Sequence, residues 1–363
     1  MRGIIVLVAL ALAASTITSV DAAGSSATTA GPAWVGGIIG SLDEITTIGS
    51  TVDPLNGDQN PYGLTIAPAG SANGHGVQRG DLVVCNFNDR NPFNIQGLGT
   101  SIVLLSPVPG SMPRHLVASP YLTGCAALAM GGALPWAAAL DANDNPIVSA
   151  DGTAINPLNT FGWTGPWGQV FVPAPVSAPK TPSAFYESNA NDGSIVRINL
   201  GKPFTFDTIA TGLPVNHGVP GSILAPSGLT YDRQRDVLYV VDGAVNALIA
   251  IWGPATIRAG GIVVQNGTIG GPQKERMKII ARGGWLNNPI SAALLFNGDI
   301  VVGNTANNNL LEFTPDGHFV GARPLDKGNA GALFGIVASG TSAATTRIYF
   351  NDDNDNTVKV LTR

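Results

Sequence analysis

Five places in this sequence carry an amide or a carboxylate at one spacing. Asn86, Asn189, Asp242, Asn304 and Asp352 each stand three residues after an apolar or tyrosine strand residue: Val83, Tyr186, Tyr239, Val301 and Tyr349. Gathered around one opening, such side chains make a polar ring able to hold a cation or a hydroxyl-rich ligand. Taken singly, each caps its own turn, because short Asn and Asp side chains hydrogen-bond nearby backbone. The spacing leaves both readings open. Of the histidines, His75 lies in a Gly-rich loop and His318 follows the turn Pro315-Asp316-Gly317. His217, in Asn216-His217-Gly218, is the one placed beside the repeat described below and joins the candidate ligand-binding set. The densest acidic run, Asn351 to Asn356, offers the oxygen ligands that Ca²⁺ prefers. It lacks the Gly and distant Glu of an EF-hand loop, so a solvated hairpin turn explains it equally. No serine nucleophile elbow, phosphate loop or dinucleotide fingerprint occurs.

These residues need strands to position them. After residue 42 apolar side chains do not recur at helical spacing. Short runs rich in Val, Ile, Leu and Tyr dominate instead, such as Asp81–Cys85, Val237–Val241 and Gly298–Val302, bounded by Gly, Asn, Asp and Pro. The chain reads as all-β. Upstream of the Asn/Asp register a second recurrence appears: Asn60-Pro61-Tyr62-Gly63, Gly165-Pro166-Trp167-Gly168, Ala225-Pro226-Ser227-Gly228 and Asn288-Pro289-Ile290-Ser291. Pro fixes φ and the following Gly permits close approach, so the chain turns sharply into an apolar strand. Four residues beyond the register another Asn falls at Asn246, Asn308 and Asn356, and a strand resumes. One such four-stranded unit cannot bury both faces alone; neighbours must stack, and a circle removes exposed ends. The units fall at about 60–118, 124–162, 166–212, 225–282, 288–325 and 331–363, with the second one irregular, so that five or seven units also fit. The last shows three clear strands, and Glu44–Gly49 lacks a local partner. The expectation is therefore a wheel closed by the N-terminal strand joining the C-terminal unit.

Composition bounds what this fold does. The chain has 363 residues, 44% hydrophobic and only 12% charged, with 46 glycines and 26 prolines. A sizeable core is available, and the net charge of −5 gives no electrostatic footprint for nucleic acid. Arg2 followed by the apolar run Gly3 to Ala14 is too short to span a bilayer and suits a signal peptide, with cleavage expected after Ala22. Residues 23–41 read as a flexible leader and 42–363 as a single domain, secreted or periplasmic and monomeric, without a transmembrane helix in the mature chain. Such a compartment permits Cys85 and Cys125 to pair, which spacing alone leaves open. Trp136, Trp163, Trp167 and Trp285 cluster near the unit starts, as a platform for sugar or aromatic ligands if exposed and as packing if not.

The repeat resembles the NHL-repeat β-propellers and, more loosely, the six-bladed group that includes the senescence-marker/gluconolactonase family. The resemblance covers Asn60 to Arg363 and is best at Ala225–Trp252 and Asn288–Thr314. The string Gly80 to Asp89 is also similar to exported bacterial NHL-like proteins. A six-bladed propeller is the fold this implies, with the Pro-x-Gly turns and the Asn/Asp register around one mouth of a central channel. It implies a module binding a small-molecule or protein ligand at that loop face. The alternative is a divalent-metal-dependent lactonase-like hydrolase or a lyase, in which Asn189, Asp242 and the nearby Glu187 would hold Ca²⁺ or another divalent cation. The Glu of that family's first innermost strand has no counterpart in Asn60-Pro61-Tyr62-Gly63. No cofactor is certain on these grounds.

Overall fold

The computed structural model describes residues 36–71, 76–131, 134–139, 146–148, 154–157, 165–200, 205–219 and 221–363. The expected signal peptide and the leader up to residue 35 lie outside them, as do His75 and Trp163. The chain is all-β and folds as a β-propeller. Ahead of the repeat comes β1 (Glu44–Ser50). The first sheet is β2 (Gln59–Ile66), β3 (Leu82–Asn88), β4 (Ser101–Leu105) and β5 (Arg114–Ala118). The second is β6 (Cys125–Gly131), β7 (Leu134–Ala139), β8 (Pro146–Val148) and β9 (Ala154–Pro157). The third begins β10 (Pro166–Val172), β11 (Ala184–Asn189), β12 (Ser194–Asn199), β13 (Thr205–Thr211). Then come β14 (Pro226–Asp232), β15 (Val237–Asp242) and β16 (Ala247–Trp252) of the fourth sheet, a hairpin of β17 (Ile262–Gln265) and β18 (Thr268–Gly270), and β19 (Met277–Arg282), which completes the fourth. The fifth holds β20 (Pro289–Leu294), β21 (Ile300–Asn304), β22 (Asn309–Phe313) and β23 (Phe319–Pro324). The sixth holds β24 (Ile336–Ser339), β25 (Arg347–Asp352) and β26 (Thr357–Thr362), with β1 antiparallel along β26 from Glu44↔Thr362 to Ser50↔Thr357. Among the described residues no helix is long and apolar enough to cross a membrane.

The second strands β3, β11, β15, β21 and β25 are buried on both faces, and their period-2 alternation assigns each residue to one neighbouring sheet. In β15, Leu238 and Val240 pack toward the third sheet with Tyr186 and Ile195, whereas Tyr239 and Val241 pack toward the fifth with Ile300 and Val302. Likewise Val301 faces Ile348 and Phe350 of the sixth sheet, and Tyr349 faces Leu64, Leu82 and Val84 of the first. Each such aliphatic side chain contributes about 1.5–3 kcal/mol by leaving water. Cys85 and Cys125 are joined covalently, Cα atoms 5.3 Å apart, between the first and second sheets.

The innermost strands meet almost as bare backbone. A Cβ on Gly63 would stand 2.6 Å from the Ala126 carbonyl oxygen, and on Gly228 2.5 Å from Ser291 Cα. Gly168 and Gly335 press equally on the carbonyls of Ser227 and Tyr62. At each Pro-x-Gly turn the register of the inner strand shifts against its partner, a bulge that bends the strand toward the axis. Neighbouring units are also bolted by the recurrent turn asparagines. Asn246, Asn308 and Asn356 all adopt the left-handed conformation (φ 48°, 52° and 54°). Their Oδ1 atoms accept from the N–H of Asn288 (2.7 Å), Ala332 (3.0 Å) and Asn60 (2.7 Å), each in the run leading to the next inner strand.

Two features depart from the sequence reading. The segment 253–276, inside the expected fourth unit and without an assigned strand, contains the β17–β18 hairpin, which pairs parallel to β13 (Ala210↔Ile262) and extends the third sheet. Arg197 docks it: the guanidinium donates to the carbonyls of Pro254, Ala255 and Ile257 at 2.8–3.1 Å and to Asp207 at 2.6 Å. Residues 36–41, read as leader, are folded. Ile39 and Leu42 are buried, and the N–H groups of Ile38 and Ile39 donate to Glu312 Oε1 and Oε2 at 3.0 and 2.9 Å. Burial pushes the Glu312 carboxyl up to about 7, although both N–H bonds favour its charged form.

Two outcomes follow. Asn356→Ala removes the acceptor of the buried Asn60 N–H and should cost about 1–3 kcal/mol in denaturant unfolding; a change within about 0.5 kcal/mol would mean the bolt carries nothing. The folded chain holds the Glu312 proton more tightly than the unfolded one, so this contribution is complete below the ordinary glutamate pKa and is lost as pH rises through about 7. Melting temperatures should therefore fall between pH 5 and pH 8 by less in Glu312→Gln than in the natural chain; equal slopes would refute the assignment.

Candidate functional site

All six inner strands line one cavity at the hub, of about 60 Å³. One residue from each is enough to show its character: Gly63, Leu128, Gln169, Leu229, Ala292 and Ile336. The channel is narrow, lined by glycines and aliphatic side chains with Gln169 and Ser291 among them, and has no register Asn or Asp on its wall. On the Pro-x-Gly side it is plugged by aromatic rings. Tyr62 lies stacked between Phe87 (centroids 4.1 Å) and Phe334 (3.9 Å), with Trp167 tilted against it at 5.5 Å. The Tyr hydroxyl is pushed up by burial and by the nearby Asp353.

Above the plug, beside Trp167 and Phe334, opens a second cavity of about 250 Å³. Its floor is Trp167, Ile290 and Phe334; its walls include Ser222, Asn288 and Thr305. The loop carrying Ser222 is held by Asn216, whose Oδ1 accepts from Gly218 N–H (3.0 Å) and Leu224 N–H (2.8 Å) and whose Nδ2 donates to the Ser222 carbonyl (2.8 Å). Gly221 of that loop abuts Gln96 from the connection between β3 and β4. Segments distant in sequence thus share the rim of the mouth.

On the other flank of the plug is a polar cluster. The Asn60 amide donates to Asp353 Oδ2 (2.9 Å) and accepts from Asn88 Nδ2 (2.9 Å), which fixes its orientation by chemistry. Asn88 in turn donates to Asn94 Oδ1 (2.8 Å). Burial, then the neighbouring Asp352, raises the Asp353 carboxyl to about 7. Asp353 escaped the sequence reading because it stands one residue past the register; the only signal was its place in the acidic run.

The register residues themselves are all buried and mostly serve their own units. Asn189 donates to Ser194 Oγ (3.0 Å), and Asp242 Oδ1 accepts from Ala244 N–H (2.9 Å). Asn304 accepts from Asn287 N–H (3.1 Å) and donates to the Trp285 carbonyl (2.8 Å). Asn86 donates to the Thr51 carbonyl (2.9 Å). Asp352 accepts from Lys359 Nζ (2.6 Å), which also meets Asp355 (2.8 Å). The five do not line the channel as a polar ring, because these side chains pair with neighbouring backbone and side chains instead. Nor do Glu187, Asn189 and Asp242 gather into an ion site: Glu187 is hydrogen-bonded to Gln169, and the other two cap turns in different sheets. Among the described residues no three His, Cys, Asp or Glu side chains group to hold a metal. In the acidic run, Asn354 donates to Asp326 (2.7 Å) and the Asn329 carbonyl (2.9 Å), so the turn is knitted to its neighbours. His217 is exposed with φ 52° and does not line either cavity. His115 pairs with buried Asp53 (2.7 Å) and His318 is exposed beside Asp316. Trp285 is part-exposed and stacks on Phe319 (5.1 Å).

Known proteins were compared with the chain. No family model matches the sequence, and no curated protein matches it. Among solved structures, a gluconolactonase from Xanthomonas campestris is similar at a TM-score of 0.56 and 12% identity, over 88% of this chain and 89% of that one. A virginiamycin B lyase from Staphylococcus aureus gives 0.48 and 14%, over 88% and 99%. A chain from a nidogen–laminin complex gives 0.47 and 15%, over 73% and 84%. At such identities the likeness is one of architecture: this chain is a β-propeller.

Proposed function

We propose that the chain is an exported, NHL-like propeller of six blades, closed by β1, that binds a small ligand at its Pro-x-Gly mouth. Each of the six sheets stands for one blade, and the convergence of six inner strands on one hub cavity supports the count. Export is supported by Arg2, the apolar run to Ala14 and the small residues Val20 and Ala22, and agrees with the Cys85–Cys125 pairing. The observation that carries the reading is the 250 Å³ cavity, with two aromatic residues in its floor and amide and hydroxyl groups in its walls. Apolar floors with a few convergent polar groups are the usual form of small-ligand sites. Aromatic faces stack on rings, while Asn288, Thr305 and Ser222 supply hydrogen bonds at the edge, so the fitting class is a ring-bearing, hydroxylated small molecule. The module acts as a monomer in the periplasm or outside the cell.

A second reading, a hydrolase or lyase, is favoured by Asp353. A carboxyl poised near 7 and oriented by Asn60 can exchange a proton with a ligand at neutral pH, as a general acid or base must. The gluconolactonase likeness is compatible with this chemistry without assigning it.

Calorimetric titration with D-glucose, D-glucono-1,5-lactone and 4-hydroxybenzoate tests both readings. At least one should bind saturably, and Ala330→Phe, which fills the cavity from its rim, should weaken it tenfold or more. If none binds at millimolar concentration, the binding reading fails. Under the second reading the chain hydrolyses the lactone, and Asp353→Asn slows turnover by about 100-fold or more with binding retained; no turnover above buffer rejects it.

A further inference from the structure

A separate site lies away from the hub, where the third and fourth sheets meet the β17–β18 hairpin. A cavity of about 50 Å³ there is walled by Leu213, Val245, Ile249, Val264, Ile269 and Met277. Its one carboxylate is Asp242, with no exposed surface. Asp242 Oδ1 is occupied by the Ala244 N–H (2.9 Å), as the cap of the turn at 243–245. Asp242 is among the residues that line the pocket, and its Oδ2 is buried without a hydrogen-bond partner. At the rim stands exposed Arg282, whose charge reaches Asp242 but which forms no ion pair with it.

Three comparisons within the molecule single this place out. The other acidic register residue, Asp352, spends its second oxygen on Lys359. The cavity owes its outer wall to an insertion that the other described sheets lack between their third and fourth strands. That wall is fixed rather than loose, since Arg197 clamps the start of the insertion through three carbonyls. An aliphatic pocket with a single buried acceptor suits water poorly, because a buried water needs two to four polar partners. It suits a molecule that is apolar along its body and donates at one end.

We propose that this pocket binds the ammonium end of a short aliphatic primary amine, its N–H group donating to Asp242 Oδ2 and its carbons packed among Val264, Ile269 and Met277. The site is independent of the mouth and of the activity proposed for it. An ammonium neutralises the buried carboxylate while a neutral alkane leaves its oxygen unpaired, and this difference supplies selectivity. The small volume, about 50 Å³, restricts the class to short alkylamines.

Isothermal titration with propylammonium chloride tests the site. The natural chain should bind one equivalent saturably, and tetramethylammonium, with the same charge and no N–H donor, should not bind. Asp242→Asn keeps an oxygen for the Ala244 N–H and so keeps the cap; it should weaken propylammonium at least tenfold. Ile269→Trp, which fills the pocket from the solvent-side hairpin, should abolish binding while far-ultraviolet dichroism stays unchanged. Absence of saturable binding, equal affinity in Asp242→Asn, or equal binding of tetramethylammonium each overturns the proposal. Because Ala330→Phe leaves this pocket untouched, propylammonium affinity in that variant should match the natural chain.

Discussion

The closest constraint in the molecule is at its axis, where inner strands approach until no side chain fits between them. Gly63, Gly168, Gly228 and Gly335 each press on the backbone of the next inner strand. Once that approach is imposed, much else follows. The strands must enter through a fixed turn, which Pro supplies, and must bulge to bring the glycine inward. The space left at the hub is narrow, about 60 Å³, and stacked rings close it: Tyr62, Phe87, Phe334 and Trp167. The larger cavity beside the plug, of about 250 Å³, is therefore shaped at the mouth by loops as well as strands, and it is there that the proposed binding role places its ligand.

Polar residues at the strand ends serve this geometry before they serve any ligand. A turn residue in the left-handed region costs an ordinary L-residue free energy, and Asn tolerates it best after Gly. Asn246, Asn308 and Asn356 offset that cost by accepting the first N–H of the next unit, so a local conformation becomes a link between sheets. The last of these links runs from residue 356 back to residue 60, the longest sequence separation of the three. Asn351 adds a second link of the same span by donating to the Tyr62 carbonyl at 2.8 Å. Such contacts bring no order until the whole sheet series is in place, which makes the assembly cooperative in topology.

How much of this was legible in the sequence depends on whether a residue repeats. Pro61, Pro166, Pro226 and Pro289, with the Asn/Asp register, recur because these units solve the same packing problem, and strands such as Asp81–Cys85, Val237–Val241 and Gly298–Val302 fall within three residues of their observed bounds. The direction in which a register side chain turns does not recur, since it depends on what lies beside each turn. Asn304 finds the Trp285 carbonyl and Asp352 finds Lys359, partners that periodicity could not supply. The β17–β18 hairpin was missed because it occurs once, and its recognition needed Arg197, a residue in the preceding unit whose role is visible only in space. The same holds for Glu312, which receives two N–H groups from residues more than 270 positions earlier.

A repeat fold therefore separates what is general from what is particular. The repeated positions build the wheel and are largely consumed by it: the amide N–H groups of Asn86, Asn189 and Asn304 are engaged by turns, caps and links, although Asn86 Oδ1 and Asn189 Oδ1 have no hydrogen-bond partner. What remains for recognition lies where the repeat breaks. Asp353 stands one residue beyond the register, the Ser222 loop is an irregular connection before the fourth sheet, and the hairpin at 262–270 is an insertion. Asp242 belongs to both classes. One of its oxygens caps a turn as the repeat requires, and the other is buried without a partner beside a pocket whose outer wall is the insertion. A buried acceptor without a partner is destabilising unless something pairs with it. Its persistence beside an added wall is the physical reason to look for a ligand there, and the repeat alone, having no use for that wall, gives no account of it.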